Sequence, residues 1–348
     1  MRPFPPLLRG DGNFQGHRPM RLPRRSLLAA LSAPMLIPAG ARAQASLPAN
    51  WPDRPLRLIL PYTPGGGTDT VARALGARLN SILGQTVVVE NRPGAGGNLA
   101  TELVAGARPD GYTLLMGNQG PITVNPTLFG RNLKVNPQAA LDPVAMVAET
   151  PLVLVAGPGT RSANLAELIE EARARKGQLN YASPGNGAAG HLAMALLLQQ
   201  AGVEATHVPF RGAAPGLTDV AAGHLAAMIS TLPSVAGMVQ GGALRALAVT
   251  SDRRVDSMPD IPTVAETLPG YRVTAWYGIL VPHGTPEPIR ARLESAILAS
   301  LETEGLISSL RAEGAVPYPM KGEEFGRFIA AERERWAPVI RAAGITAD

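Results

Sequence analysis

Residues 58–69 read LILPYTPGGGTD, and the rest of the chain is built around them. Leu58, Ile59 and Leu60 have the character of the end of a buried strand. Pro61, Pro64 and the consecutive Gly65, Gly66 and Gly67 then interrupt both helix and strand. Thr68 and Asp69 are good N-cap residues, and the following TVARALGARLNSIL carries helical periodicity. The expected product is a strand, a tight glycine turn and a helix whose first N–H groups are bare, which is a site suited to an anion.

The same grammar returns twice. TVVVE at 86–90 predicts a buried parallel strand, and NRPGAGG at 91–97 a second glycine turn before a helix to about Gly106. A third strand follows at 112–116. Such β–α units with short loops imply a parallel sheet. Residues 118–145, rich in Asn and Pro, are expected to be irregular. Further on, strands are predicted at 152–156, 179–182, 206–210, 225–230, 244–250 and 272–281. Helices are predicted at 164–176, 191–201, 216–223, 286–303 and 321–343. The third glycine turn, 183–190, lies between a strand and a helix. The chain thus leaves one α/β unit through residues 120–150, builds another, and returns near 265–285. This predicts two lobes, each with a mixed, mainly parallel sheet: 50–150 plus 270–348, and 151–269. Ligands of such sheets bind beyond the strand C-termini, here in a cleft between the lobes.

The chain has 348 residues, 45% of them hydrophobic, which suits two cores. Its net charge of +5 belongs to the N-terminus. Seven of the 32 basic residues and one of the 27 acidic ones fall in residues 1–43, which leaves the rest at −1. No basic stripe argues for nucleic acid. Cysteine is absent, which excludes disulfides, thiolate metal sites and a lipid-anchoring cysteine. From Met20 the chain shows a basic head, an apolar stretch at 26–37 and Ala41-Arg42-Ala43 before Gln44. This is the pattern of a cleavable signal peptide, with 1–43 as leader, Met20 as the expected start and export to the periplasm. The run is shorter than the roughly 20 residues of a membrane span, and Pro34 and Pro38 interrupt it. Arg24-Arg25 before Ser26-Leu27-Leu28 resembles a twin-arginine signal, with Pro23 where that motif favours Ser or Thr; general secretion is the alternative.

Gly185-Asn186-Gly187-Ala188-Ala189-Gly190 matches GxGxxG, which raises a dinucleotide site and an NADP-linked oxidoreductase as one alternative function, a ligand-sensing receptor for a signalling partner being the other. The acid expected after the next strand is missing, since Val208-Pro209-Phe210 leads into Arg211. No Gly-Lys-Ser/Thr follows the first glycines, so they are not a P-loop. The histidines after the leader, His191, His207, His224 and His283, lack metal-site spacing. His191 reads either as a helix-start residue that packs or caps, or as a cleft donor. Asp69 reads as a cap or a ligand contact, Trp276 and Tyr277 as core, and Asp219 as a helix-surface acid behind Arg211-Gly212.

Taken in order, these motifs resemble the tripartite tricarboxylate transporter receptor (Bug) family of periplasmic solute-binding proteins. The resemblance rests on the first loop from Pro61 to Asp69, Val89-Glu90-Asn91-Arg92-Pro93-Gly94-Ala95-Gly96-Gly97 and Asp110-Gly111-Tyr112. It rests also on Val208-Pro209-Phe210-Arg211-Gly212, the run from Leu244 to Thr250, Pro259-Asp260-Ile261-Pro262-Thr263 and Trp276-Tyr277-Gly278. It implies a two-lobed, type II Venus-flytrap receptor that holds a small carboxylate and presents it to membrane subunits of a transporter. It implies a monomer without catalysis, cofactor or metal. The implied ligand-binding set is Tyr62, Thr63, Pro64, Gly65, Gly66, Thr68 and Asp69 from the first loop, with Ser183, Gly185, Asn186, Gly187 and His191 opposite. Arg211 and Asp219 complete it. Ala188 stands where the family usually has Ser or Thr, and His283 replaces a small residue.

Overall fold

A computed structural model describes residues 47, 50–210, 212–312 and 314–347. The expected signal peptide and Arg211 lie outside the described residues. The chain opens with β1 (Leu56–Leu60), α1 (Gly67–Leu83), β2 (Val87–Asn91), α2 (Asn98–Ala105) and β3 (Thr113–Gly117). Two short helices, α3 (Asn125–Leu128) and α4 (Pro137–Ala140), precede the long strand β4 (Leu141–Ala156). Then come α5 (Leu165–Arg175), β5 (Asn180–Ser183), α6 (Ala189–Ala201), β6 (Thr206–Pro209) and α7 (Ala213–Ala221). These are followed by β7 (Ala227–Thr231), α8 (Leu232–Gln240), β8 (Arg245–Val249) and β9 (Thr274–Pro282). The chain closes with α9 (Glu287–Leu301), α10 (Glu304–Ala312), β10 (Val316–Lys321) and α11 (Gly322–Ala342).

The strands run β2-β1-β3-β9-β4-β7-β5-β6, with β8 and β10 also on β4. The outer ladders β1–β2, β1–β3, β5–β6 and β5–β7 are parallel, as β–α units require. The middle is antiparallel. Residues 141–151 of β4 pair with β9, and residues 152–156 pair with β7 and β8. One strand therefore belongs to two sheets. Alternation in β1 places Leu58 and Leu60 in one core cluster and Ile59 in another, on the opposite face. Such burial on both faces is why its sequence is a continuous apolar run.

The segment expected to be irregular, 118–145, is ordered. It holds a π-helical turn at Gly120–Val124, then α3 and α4, and β4 begins within it at Leu141. Three of its four prolines start helical turns instead of breaking them. Pro137 occupies the first turn of α4, where Asn136 caps by accepting from the Gln138 N–H (3.2 Å). Pro143 sits at a register shift of β4. β10, not expected, carries two prolines and pairs only along β4, as an edge strand does.

Candidate functional site

The first loop departs from its expected capping. α1 starts at Gly67 behind an extended Gly66, so Thr68 and Asp69 lie inside the helix. Asp69 instead reaches backwards. Its Oδ2 accepts the Gly65 N–H at 3.1 Å and Arg73 Nε at 2.9 Å, and its Oδ1 accepts Asn91 Nδ2 at 3.1 Å. Burial alone would raise its pKa; Arg73, the Gly65 N–H and Asn91 outweigh that and hold the carboxylate below its usual range. Asp69 thus ties the loop to the helix and to β2, with its oxygens engaged by the protein.

The second loop works from behind the first. Asn91 Nδ2 also donates to the Tyr62 carbonyl (2.9 Å), and the Arg92 N–H to the Leu60 carbonyl (2.8 Å). Gly97 takes φ +93°, and a Cβ on it would stand 3.0 Å from Pro61 and 3.2 Å from Pro121. Only glycine allows that approach. Asn125 donates to the Gly96 carbonyl (3.0 Å) and to Asn98 Oδ1 (2.6 Å), which fastens the π-turn segment to this loop.

With the loop fixed from below, its upper side is left clear. Thr63, Pro64 and Gly65 are exposed, and among the described residues no atom beyond the adjoining ones in the chain lies within 4 Å of where a Cβ of Gly65 or Gly66 would be. No side chain caps the start of α1. Tyr62 donates to Asn118 Oδ1 (3.3 Å), and Asn118 Nδ2 to the buried Thr68 Oγ1 (3.3 Å). Burial pushes the Tyr62 phenol up to about 12, so it is a neutral hydroxyl. A Cβ on Gly67 would collide with the hydroxyl of buried Tyr277 and come within 4.0 Å of Thr231 Oγ1. Tyr277 lies on β9, and Thr231 is the N-cap of α8, whose backbone it does not cap. The start of α1 therefore faces β9 from its own sheet and the end of β7 from the other. Sequence reading assigned Tyr277 to the core and missed Thr231; the Thr-Leu-Pro start of α8 was the available signal.

The third loop is held by two histidines. Ser183 Oγ lies 2.6 Å from His207 Nε2 and accepts the Gly185 N–H at 3.2 Å. The Gly187 N–H donates to His191 Nδ1 at 3.3 Å. His191 is buried and stacks on His207, with ring centroids 3.7 Å apart. Burial first, and then the neighbouring His207, lower His191 to about 3. Of the two roles open to His191, the packing and capping one is the role its Nδ1 fills here.

Each glycine of the GxGxxG match has its own contact. A Cβ on Gly185 would come within 3.2 Å of the Phe210 carbonyl, and one on Gly190 would collide with the Ile229 carbonyl. Gly187, at φ +71°, leaves room for Leu128 and Val124, 2.9 and 3.0 Å from its absent Cβ. Residues 124–128 thus lie between the second loop and the third. Asn186 is half-buried and lines a cavity of about 930 Å³ together with Tyr181, His191 and His207; residues 61–69 are not on its wall. Asp219 sits in the last turn of α7, 3.6 Å from His224, and among the described residues makes no bond to these loops. Among the described residues, no three His, Cys, Asp or Glu side chains come together as a metal would need. Among them, too, no helix is long and apolar enough to cross a membrane.

The sequence profile of the tripartite tricarboxylate transporter family receptor matches residues 71–345. Protein BugT of Bordetella pertussis (strain Tohama I) is 36% identical over 296 residues, 84% of this chain and 90% of that protein. Among solved structures, R. palustris Rpa4515 with adipate is similar with a TM-score of 0.80 at 36% identity, covering 85% of this chain and 99% of that one. MatC (Rpa3494) from Rhodopseudomonas palustris with bound malate is similar with a TM-score of 0.76 at 33% identity, covering 83% and 100%.

Proposed function

Because this chain belongs to the tripartite tricarboxylate transporter family of receptors, we propose that it captures a small carboxylate in the cleft between its two sheets. Members of that family are solute-binding receptors and not enzymes, and the fold is their α/β, two-lobed binding-protein fold. The oxidoreductase alternative is accordingly set aside. The lobes in this reading are 50–150 with 270–348, and 151–269, with β4 running through both. The exported chain works in the periplasm as a monomer and hands its ligand to the membrane subunits of a tripartite transporter.

One observation carries the reading: the uncapped start of α1 beside the open backbone of Gly65 and Gly66. The Gly65 N–H is spent on Asp69, so the N–H groups of Gly66, Gly67 and Thr68 are the ones offered to a carboxylate. Tyr62, Thr63 and Pro64 form the rim. Ser183, Gly185, Asn186 and Gly187 close from the other lobe, while Asp69 and His191 hold the two loops from behind. Solved relatives hold adipate and malate, both dicarboxylates, which fits a ligand with two anionic ends.

A helix N-terminus stabilises an anion by up to ~2 kcal/mol. Micromolar affinity needs about 8 kcal/mol. Charge-assisted bonds from the backbone N–H groups must supply the remainder, strengthened as closure excludes water. A thermal-shift panel of dicarboxylates, including adipate and malate, against amines and sugars tests the reading. A carboxylate at a hundred times its Kd adds about 2.7 kcal/mol, or roughly 5–10 °C at this size. A panel in which only amines or sugars raise the Tm would overturn it.

A further inference from the structure

We propose that His191 and His207 act as positioning residues, a stacked pair that fixes the 183–187 loop in its ligand-ready shape and loosens it when charged. The role in binding rests on the reading of that loop given above; the positioning itself does not.

The two imidazoles come from different elements, the third residue of α6 and the second of β6. Their planes are 20° apart at 3.7 Å, and Tyr181 of β5 extends the stack on His207 at 5.1 Å. Each ring ties a different end of one loop. His207 meets Ser183 Oγ, which in turn receives the Gly185 N–H; His191 receives the Gly187 N–H. The loop needs such ties, because Gly185 and Gly187 stand at φ +135° and +71° and no strand ladder passes through them. Packing on the far side comes from the apolar Val124 and Leu128.

The bond to Gly187 dictates the chemistry of His191. An accepting Nδ1 carries a lone pair, so the ring is neutral with its proton on Nε2. A proton on Nδ1 would set donor against donor. A charge on either ring also acts on the other at stacking distance, and little water separates them. Protons reach the pair from the cavity of about 930 Å³ on whose wall both rings lie. Among the described residues, its charged groups are Lys176, at the end of α5, and Glu204, before β6; Tyr181 is held neutral by burial, and residues 342–346 add no ionisable side chain.

The full mature chain and three variants test the proposal: His191→Leu, His207→Leu, and His191→Asn, which keeps an acceptor near Nδ1 but takes no proton. Amide hydrogen exchange of 183–190 is read without ligand, and adipate and malate affinities are read alongside. Either leucine variant should speed exchange in this segment by about tenfold, the value of one lost hydrogen bond, with the distant strands unchanged. His191→Asn should restore most of the protection. In the wild type, imidazole NMR should show His191 neutral and protonated on Nε2 at pH 7. After correction for intrinsic rates, protection of 183–190 should fall as the pH drops to 4. Unchanged exchange in both leucine variants overturns the proposal, as does a His191 proton on Nδ1, which can be read even if no variant folds. If neither dicarboxylate binds the wild type, the functional reading fails while exchange and NMR still decide the positioning role.

Discussion

A single methyl group at position 67 tests how closely the first loop is built. Gly67→Ala would drive a Cβ into the hydroxyl of the buried Tyr277. Overpacking of this kind costs about 1–3 kcal/mol, so the Tm should drop by several degrees. In a Tyr277→Phe background the same substitution should cost distinctly less; an equal loss in both backgrounds would rule out the collision. His191 gives a second prediction, in pH. Its folded value near 3 lies below the ordinary 6.5, so the unfolded chain binds the proton more readily. Its contribution is complete above pH 6.5 and is lost progressively as the pH falls toward 3. Denaturant titrations from pH 7 to 4 should show a decline that His191→Asn flattens. At this scale the partners of each residue were not legible in the sequence. Asp69 was read as a cap or a ligand contact, but its partners Arg73 and Asn91 come from a helix turn and a strand that only folding brings together. His191 and His207 are sixteen residues apart, and no periodicity shows that they stack.

Strands and helices were largely readable where apolar periodicity and glycine punctuation agreed, as in β1, α1, β2 and α5. They were misread where proline has two meanings. Pro121, Pro126 and Pro137 each begin a helical turn, and Pro143 sits at a register shift of a strand, so residues 118–145 read as irregular. β4 was found only in its last five residues for the same reason. Where β4 passes from one sheet to the other, Thr250 ties it to the returning chain. Its Oγ1 accepts the Leu152 N–H (2.9 Å) and donates to the Leu152 or Val273 carbonyl (3.1 and 2.6 Å), and Thr250 is fully buried. Thr250→Val keeps the shape and removes the hydroxyl. It should cost about 1–3 kcal/mol, seen as a lower denaturation midpoint, whereas Thr250→Ser should stay near wild type. A valine variant as stable as the parent would show that the crossing does not depend on this link.

For the whole molecule, the ordered set of short motifs carried more than any one of them. Two-lobed architecture and family followed from several glycine turns and strand runs in a fixed sequence, while the boundaries between sheets depended on β4, whose continuity no local pattern reveals. The position of β9 between β3 and β4 has a further consequence, for the order of assembly. The strands that pair with residues 152–156, together with β5 and β6, all lie before residue 250, so that sheet can form from one continuous stretch of chain. The other sheet must wait. Its centre joins Met116 to Ile279 and Glu149 to Trp276, partners separated by more than a hundred residues. Until the ribosome has delivered β9, β3 and the first half of β4 present unpaired edges, and such edges seed aggregation. β10 then covers the other edge of β4, but it is β9 that carries Tyr277 to the start of α1, so the event that joins β3 to β4 also brings that residue to the cleft.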